Sequence, residues 1–328
     1  MALISGPMNR YHYNYSSLEA KVTSVYNGKK SYETSTLNSS AFTFDLAYLS
    51  LISVSGADST TFLQGQLSCN IKALTETQAS LAAYCTAKGR VISVMVVIPQ
   101  PDGYCLLLPS SLAEIVQKRL QMFVLRSAVK LSLLTTRVIG LKTTETPYPD
   151  LELPLNDFAV TSKDSRCLLK IPSVNSDRYI FLDHAKPEVE ITDLISADKW
   201  RLDDIAAGLP WFELDQTESY TPHMLNLDKL GGISLDKGCY TGQEIIARTH
   251  YLGKNKRHLY PGKINSDVEI NSGQAVIDPD TSTILGHVLF AQSYNQTTCL
   301  LMVLNLENEH SGGYATEHPS LSAIELLQ

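Results

Sequence analysis

The stretch Lys237-Gly238-Cys239-Tyr240-Thr241-Gly242-Gln243-Glu244 decides how this chain is read. Gly238 and Gly242 bracket Cys239-Tyr240-Thr241, and glycine adopts backbone shapes that other residues resist. Thr241 followed three residues later by Glu244 has the spacing of a capping box, in which two side chains satisfy orphan backbone N–H groups. That spacing predicts a helix beginning at Gly242 and running through Glu244-Ile245-Ile246-Ala247-Arg248. Cys239 then lies two residues before a helix N-cap. The positive end of the helix and the Lys237 ammonium both favour thiolate over thiol, so a nucleophilic or redox-active sulfur is expected. A buried, inert cysteine in a tight turn fits the same local pattern, because cysteine is commonly buried.

Downstream of the motif, residues 245–266 contain no Asp or Glu. They carry Arg248, Lys254, Lys256, Arg257 and Lys263, with His250 and His258, in a chain of formal net charge −7. A solvated connector explains such a run. An anion site beside Cys239, formed by Arg248, Lys254 and Lys256, explains it too and predicts binding of a glutamate tail or of RNA phosphates. Upstream, residues 197–207 read as a helix stopped by Gly208 and Pro210. At about 100° per residue, Leu202, Ile205 and Leu209 share one face and Trp200 falls on the other, flanked by Asp203 and Asp204. A tryptophan off the core stripe can line a cavity and stack on a flat heterocycle, while neighbouring carboxylates accept its N–H groups. Packing of Trp200 against a neighbouring domain is the alternative.

Further out, strands are expected at 46–54, 81–85, 91–98, 104–108, 129–134 and 179–182. Asp58 is placed to cap a short helix carrying Phe62, Leu63 and Leu67. Residues 112–124 read as an amphipathic helix with Leu112, Ile115, Val116, Leu120 and Phe123 on one side. Strands alternating with helices indicate an α+β layered region over 41–250, with a break near 140–155. From 251 to 328, turns such as Pro261-Gly262 and Asp278-Pro279 separate short strands, which predicts a small C-terminal β-barrel. Residues 1–40, rich in Ser, Tyr and Asn, are expected to form a loosely packed extension.

The 328 residues are 44% hydrophobic and hold no apolar run long enough for a membrane span. The start does not resemble a secretory signal. The six cysteines form no C-x-x-C pair, so reduced thiols in a cytoplasmic protein are expected, without zinc or iron–sulfur binding by this chain alone.

The octapeptide, preceded by Leu230-Gly231-Gly232-Ile233-Ser234, resembles the signature of the YgfZ family. Ser55-Gly56-Ala57-Asp58, Gln64-Gly65-Gln66, Ala87-Lys88-Gly89-Arg90 and residues 200–210 extend the resemblance over roughly 44–310. That family is similar to the aminomethyltransferase (T-protein) of the glycine cleavage system. The resemblance implies an α+β, multidomain, aminomethyltransferase-like folate-binding fold with a C-terminal barrel. It implies tetrahydrofolate as cofactor. It also implies a role in maintaining iron–sulfur proteins and in tRNA methylthiolation, with a tRNA methylthiotransferase among the partners. It maps the key cysteine to Cys239 and the folate-contacting tryptophan to Trp200, with a second contact near Tyr48 or Leu49. The sequence departs from the family where no tryptophan stands at 48 or 49, and where Ala206 replaces a glutamate common in relatives. After Gly89-Arg90, Ser93 and Val94 stand where the T-protein has aspartates, which argues against glycine-cleavage chemistry. A folate-dependent one-carbon transferase with Cys239 as nucleophile, and a pure tRNA- or partner-binding module, are the rival expectations.

Overall fold

Residues 46–48 turn the chain sharply and split the first apolar run between two sheets. The computed structural model describes residues 42–146, 148, 150–185, 194–253, 255–265, 269–305, 313–317 and 323–327. The expected N-terminal extension lies outside them. The strand expected over 46–54 is β2 (Leu49–Ser55), which starts three residues later; β1 (Phe42–Asp45), not expected, precedes it, and between them the Leu49 N–H bonds to the Leu46 carbonyl. Alternating apolar residues run through both strands, so periodicity alone could not reveal the corner.

A short helix follows, α1 (Ser59–Gln64), and then β3 (Ser80–Cys85), β4 (Val91–Gln100) and β5 (Gly103–Pro109). Asp58 does not cap α1. Its carboxylate accepts the Ala128 N–H at 2.7 Å, a tertiary contact that replaces the local one. In β4, the eight residues from Val91 to Ile98 are all buried, as expected of a strand covered on both faces. Helix α2 (Ser110–Val124) lays Leu112, Ala113, Val116, Leu120 and Val124 against β2, β4, β5 and β6 (Lys130–Leu134). Phe123, expected on that face, is 48% exposed, because Val124 takes the buried position at the end of the stripe. The resulting antiparallel sheet has the order β3-β4-β5-β2-β6.

The chain then enters a second five-stranded sheet through β7 (Ile139–Lys142), β8 (Val160–Lys163), β9 (Arg166–Ile171) and β10 (Arg178–Asp183). Its order is β1-β7-β10-β9-β8, so β1 returns from the far N-terminal side to pair with β7, Phe42 opposite Lys142. Helix α3 (Asp198–Ala206) comes next. Residues 207–242 carry little regular structure but bury Leu209, Trp211, Phe212, Leu225 and Leu227 in the main core. This segment is tied to β4 through the bond from the Val91 N–H to the Tyr220 carbonyl.

Helix α4 (Gln243–Leu252) leads into β11 (Arg257–Ile264), β12 (Ala275–Ile277), β13 (Ile284–Tyr294), β14 (Thr297–Asn305), β15 (Tyr314–Thr316) and β16 (Ala323–Leu326). These six strands close into a barrel in the order β11-β14-β13-β12-β15-β16. Val276, Val288, Leu300, Met302 and Leu304 fill it. Helix α3 packs on β13 and β14 and so joins the barrel to the rest of the molecule.

Candidate functional site

All six cysteines lie within the described residues, and five are buried. Burial pushes the Cys69, Cys167 and Cys299 thiols up to about 11 and the Cys85 thiol to about 12. Cys105 rises further, for the same reason. Such groups stay protonated and unreactive at neutral pH. Cys239 alone is exposed. It makes no hydrogen bond, ion pair or ring contact among the described residues.

The exposure is built by the neighbours of the thiol. Lys237 and Tyr240 are buried, at 7% exposure each, while Gly238 and Cys239 between them are exposed. The Lys237 ammonium donates to the carbonyls of Leu67 at 2.7 Å and Cys69 at 2.6 Å, and lies 4.8 Å from the Tyr240 ring centroid. Desolvation lowers its pKa to about 8. Lys237 therefore anchors the loop through two backbone carbonyls. No hydrogen bond joins Lys237 Nζ to the Cys239 sulfur that it was expected to assist.

Further bonds hold the loop from both sides. Ser68 Oγ donates to the Gly232 carbonyl at 2.6 Å and accepts the Ala83 N–H at 2.7 Å, while the Ser234 N–H donates to the Ser68 carbonyl. On the other side the Thr241 N–H donates to the Gly65 carbonyl at 3.2 Å. The capping box is not formed. Gly242, at φ +84°, occupies the cap position without any side-chain bond, and the helix starts at Gln243. Docking of the Thr241 backbone on Gly65 decides the geometry of the turn and leaves the Thr241–Glu244 pair unused.

Gly65 is also a wall of an open cleft of about 930 Å³. Phe62, Gln66, Phe123 and Leu125 line the cleft with it, and the half-exposed Phe123 ring is part of its surface. The Cys239 loop and this cleft thus share one turn of backbone.

The residues expected to cradle a pterin meet elsewhere, under α3. Trp200 is 1% exposed. Its ring lies 5.7 Å from the Phe44 ring and 4.9 Å from the Arg178 guanidinium, and a Cβ on Gly140 would come within 2.7 Å of it. Asp203 is ion-paired with Lys142. Asp204 accepts from Arg178 at 2.7 Å and from the Tyr48 hydroxyl at 2.6 Å. Burial raises the Asp204 carboxyl above its ordinary value, against the pull of Arg178 and Tyr48. Burial and the Asp204 charge hold the Tyr48 phenol well above 10.0. Arg201 lies 4.3 Å from the Tyr48 ring and 5.0 Å from the Phe290 ring of the barrel. Leu49 is buried at the start of β2.

The expectation that Trp200 lies off the core is therefore corrected. The cations Lys142 and Arg178, from β7 and β10, draw the Trp-Asp-Asp face of α3 inward, and Leu202 stays half-buried. A tetrahydrofolate cofactor does not fit this arrangement. Trp200 has no open face for stacking, and both carboxylates are occupied by protein groups. Lys142, Arg178 and Arg201 complete the network and were not anticipated. A lone cation in an apolar run, Lys142 after Ile139-Gly140-Leu141, is the sequence signal by which it could have been found.

The basic strip is dispersed. Arg248 on α4, Lys256 and Arg257 are exposed, whereas Lys263 pairs with Glu325 at 3.1 Å on the barrel. Lys254 lies outside the described residues. Ser93 and Val94 are buried in β4, with Ser93 Oγ bonded to the Val94 carbonyl, and supply no acid. No group of His, Cys, Asp and Glu among the described residues could hold a metal ion, and no described helix is long and apolar enough to cross a membrane.

No family model matches the chain. Among curated proteins, it is 32% identical over 243 residues to the tRNA-modifying protein YgfZ of Colwellia psychrerythraea, covering 70% of this chain and 72% of that protein. It is 32% identical over 223 residues to the YgfZ of Klebsiella pneumoniae, covering 64% and 68%. Among solved structures, it resembles the glycine cleavage system aminomethyltransferase T from Bartonella henselae with a TM-score of 0.70, covering 89% of this chain and 86% of that one. The sequence identity to that structure is 13%, so the likeness is one of fold. The α+β aminomethyltransferase-like architecture expected from the sequence, with its closing barrel, is confirmed.

Proposed function

Since this chain belongs to the YgfZ family of tRNA-modifying proteins, we propose that it is a cytoplasmic accessory factor in tRNA modification that works through the Cys239 thiol. The proposed clients are iron–sulfur enzymes, among them a tRNA methylthiotransferase. One observation carries the reading. Of six thiols, five are locked in the core and Cys239 alone stands at the surface, between two buried anchors. A loop that spends Lys237 and Tyr240 on holding two exposed residues out in solvent is costly unless the exposed group has a use.

The chemistry assigned to the chain is therefore that of a presented sulfur. After its proton leaves to solvent, the thiolate attacks one sulfur of a partner's disulfide, the S–S bond breaks, the second sulfur leaves as thiolate, and a mixed disulfide with Cys239 remains. Lys237 keeps the loop in place. The loop is joined through Thr241 to Gly65, a residue that lines the Phe62–Phe123 cleft, and that cleft is the proposed seat for a small partner or a client side chain.

Tetrahydrofolate is proposed as ligand from kinship alone. When bound, it supplies a one-carbon carrier. The Trp200, Asp203 and Asp204 set does not receive it, so no step of the thiol chemistry is assigned to it. Because Trp200 and Trp211 are both buried, calorimetric titration with tetrahydrofolate, which needs no aromatic reporter, tests this part. A saturable change supports folate binding, and a flat titration removes folate from the proposal without touching the thiol. The one-carbon transferase reading is less favoured, because Ser93 and Val94 leave the acid of the related fold missing.

The test of the central claim is complementation. In cells lacking this protein, the wild-type chain should restore the methylthio modification of tRNA, and Cys239→Ser and Cys239→Ala should not. Full restoration by Cys239→Ala would sink the thiol reading and favour a passive binding module.

A further inference from the structure

Away from the thiol, at the C-terminal end of α4, three rings form a ladder from core to solvent. His223 is 4% exposed, and neither ring nitrogen has a hydrogen-bond partner among the described residues. The His250 ring lies over it at 5.9 Å, and the Tyr251 ring meets His250 edge-on at 5.0 Å and 89°. Tyr251 is 67% exposed and Leu252 is 83% exposed. An exposed tyrosine is ordinarily a free rotor. Here His250, itself backed by His223, restrains it, so a flat partner stacking on it orders little that is not already ordered.

The chain before and after Tyr251 carries exposed arginines. Arg248, one turn back on α4, is exposed, and Arg257 is exposed at the start of β11. The acids near this end are Asp228, in the loop beside His223 and His258, and Glu244, two turns back on α4. From Ile245 to Ile264 there are none. Aromatic faces interleaved with arginines are what single strands of nucleic acid require, since every base offers a π-face and every linkage a phosphate. A duplex hides its base faces and cannot use the ring.

We infer that the C-terminal end of α4 is a docking platform for single-stranded RNA, with Tyr251 stacked on an unpaired base and Arg248 and Arg257 on flanking phosphates. The inference rests on the tRNA-modification reading and names how the RNA is held. Helix α4 has ten residues, about 15 Å of rigid rod. The platform stands at one end and the Cys239 loop at the other, so an RNA loop docked on Tyr251 leaves the thiol free for a client.

The test uses the full chain and two labelled probes, a short RNA hairpin with an unpaired loop and a fully paired duplex of matching composition. Anisotropy is measured over a series of salt concentrations. The hairpin should bind more tightly than the duplex. Tyr251→Ala should weaken hairpin binding by roughly tenfold or more, and Tyr251→Phe should keep it. Arg248→Ala and Arg257→Ala should each flatten the log–log salt dependence by about 0.7. Tyr251 is mostly exposed, so circular dichroism and thermal midpoint should not move. Equal binding of hairpin and duplex overturns the platform. So does parent-like affinity in Tyr251→Ala, and so does a Tyr251→Ala defect in binding a protein client with RNA binding intact. If the chain binds no RNA while Cys239-dependent tRNA modification persists, the platform alone fails and the thiol reading stands.

Discussion

Gly89 and Gly242 pack back to back. A Cβ on Gly242 would lie 3.1 Å from the Gly89 Cα and 2.6 Å from the Thr86 carbonyl oxygen, and one on Gly89 would lie 3.0 Å from the Ile245 side chain. Both glycines have positive φ, +67° at Gly89 and +84° at Gly242. This contact explains why Ala87-Lys88-Gly89-Arg90 and the cysteine octapeptide occur in one chain. The turn between β3 and β4 is the seat on which the start of α4 rests, and only two residues without side chains allow the approach.

Gly242→Ala should therefore be costly. A left-handed backbone costs an ordinary residue about 1–2 kcal/mol, and forcing atoms into a packed contact adds about 1–3 kcal/mol. Gly238→Ala should be close to neutral, since a Cβ there meets nothing within 4 Å. Urea denaturation of both variants checks the contrast, and equal stabilities would contradict the packing described.

Native alkylation should label one thiol per chain. Iodoacetamide at neutral pH followed by intact mass spectrometry should give a single adduct on wild type and none on Cys239→Ser, with six adducts on the unfolded wild-type chain. A native adduct on Cys69 or Cys85 would show that the core around the motif opens.

Lys237→Met should destabilise the loop by stranding the carbonyls of Leu67 and Cys69, at about 1–3 kcal/mol for each group left unpaired. The wild-type lysine also carries a pH signature. Its folded pKa, about 8, lies below the unfolded value near 10.5, so the unfolded chain holds more protons between these limits. Stability contributed by Lys237 is thus lowest below pH 8 and rises from pH 8 to about 10.5. The stability of wild type minus that of Lys237→Met, measured across this window, should climb with pH. A flat difference would mean that Nζ is solvated.

The buried cluster under α3 should behave as a unit. Arg178 has no exposed side-chain surface, so Asp204→Asn leaves a buried guanidinium without its counter-charge, at roughly 3–5 kcal/mol. The double variant Arg178→Met with Asp204→Leu should cost less than the two single changes added together. Tyr48→Phe should cost about 1.5–3 kcal/mol, the usual range for a bond to a charged group. Additive losses in the Arg178–Asp204 cycle would argue that the two residues do not interact.

The strands of the first sheet, helix α2 and the barrel turns were readable from the chain because their signals are local. Apolar spacing, Pro101-Asp102-Gly103 and Pro261-Gly262 act within a few residues. The strands β7, β8 and β9 were not read, being short and interrupted by polar residues. The site was half legible. Cys239 is singled out by its flanking glycines, whereas the partners that Lys237, Trp200, Asp203 and Asp204 meet in the fold leave no local signal.

Sequence alone pointed to the family of this protein and singled out Cys239, because a contiguous octapeptide carries that information without reference to the rest of the chain, while the exposure of that one thiol and the burial of the other five came from the structure. Tertiary structure alone decided that Lys237 is an anchor, that the Thr241–Glu244 cap is unused and that Trp200 is sealed. The partners responsible lie far off along the chain. Leu67 and Cys69 are 170 and 168 positions from Lys237, and Tyr48 is 156 from Asp204. A side chain takes whichever contact folding brings to it, and for these residues the distant contact outweighed the local pattern.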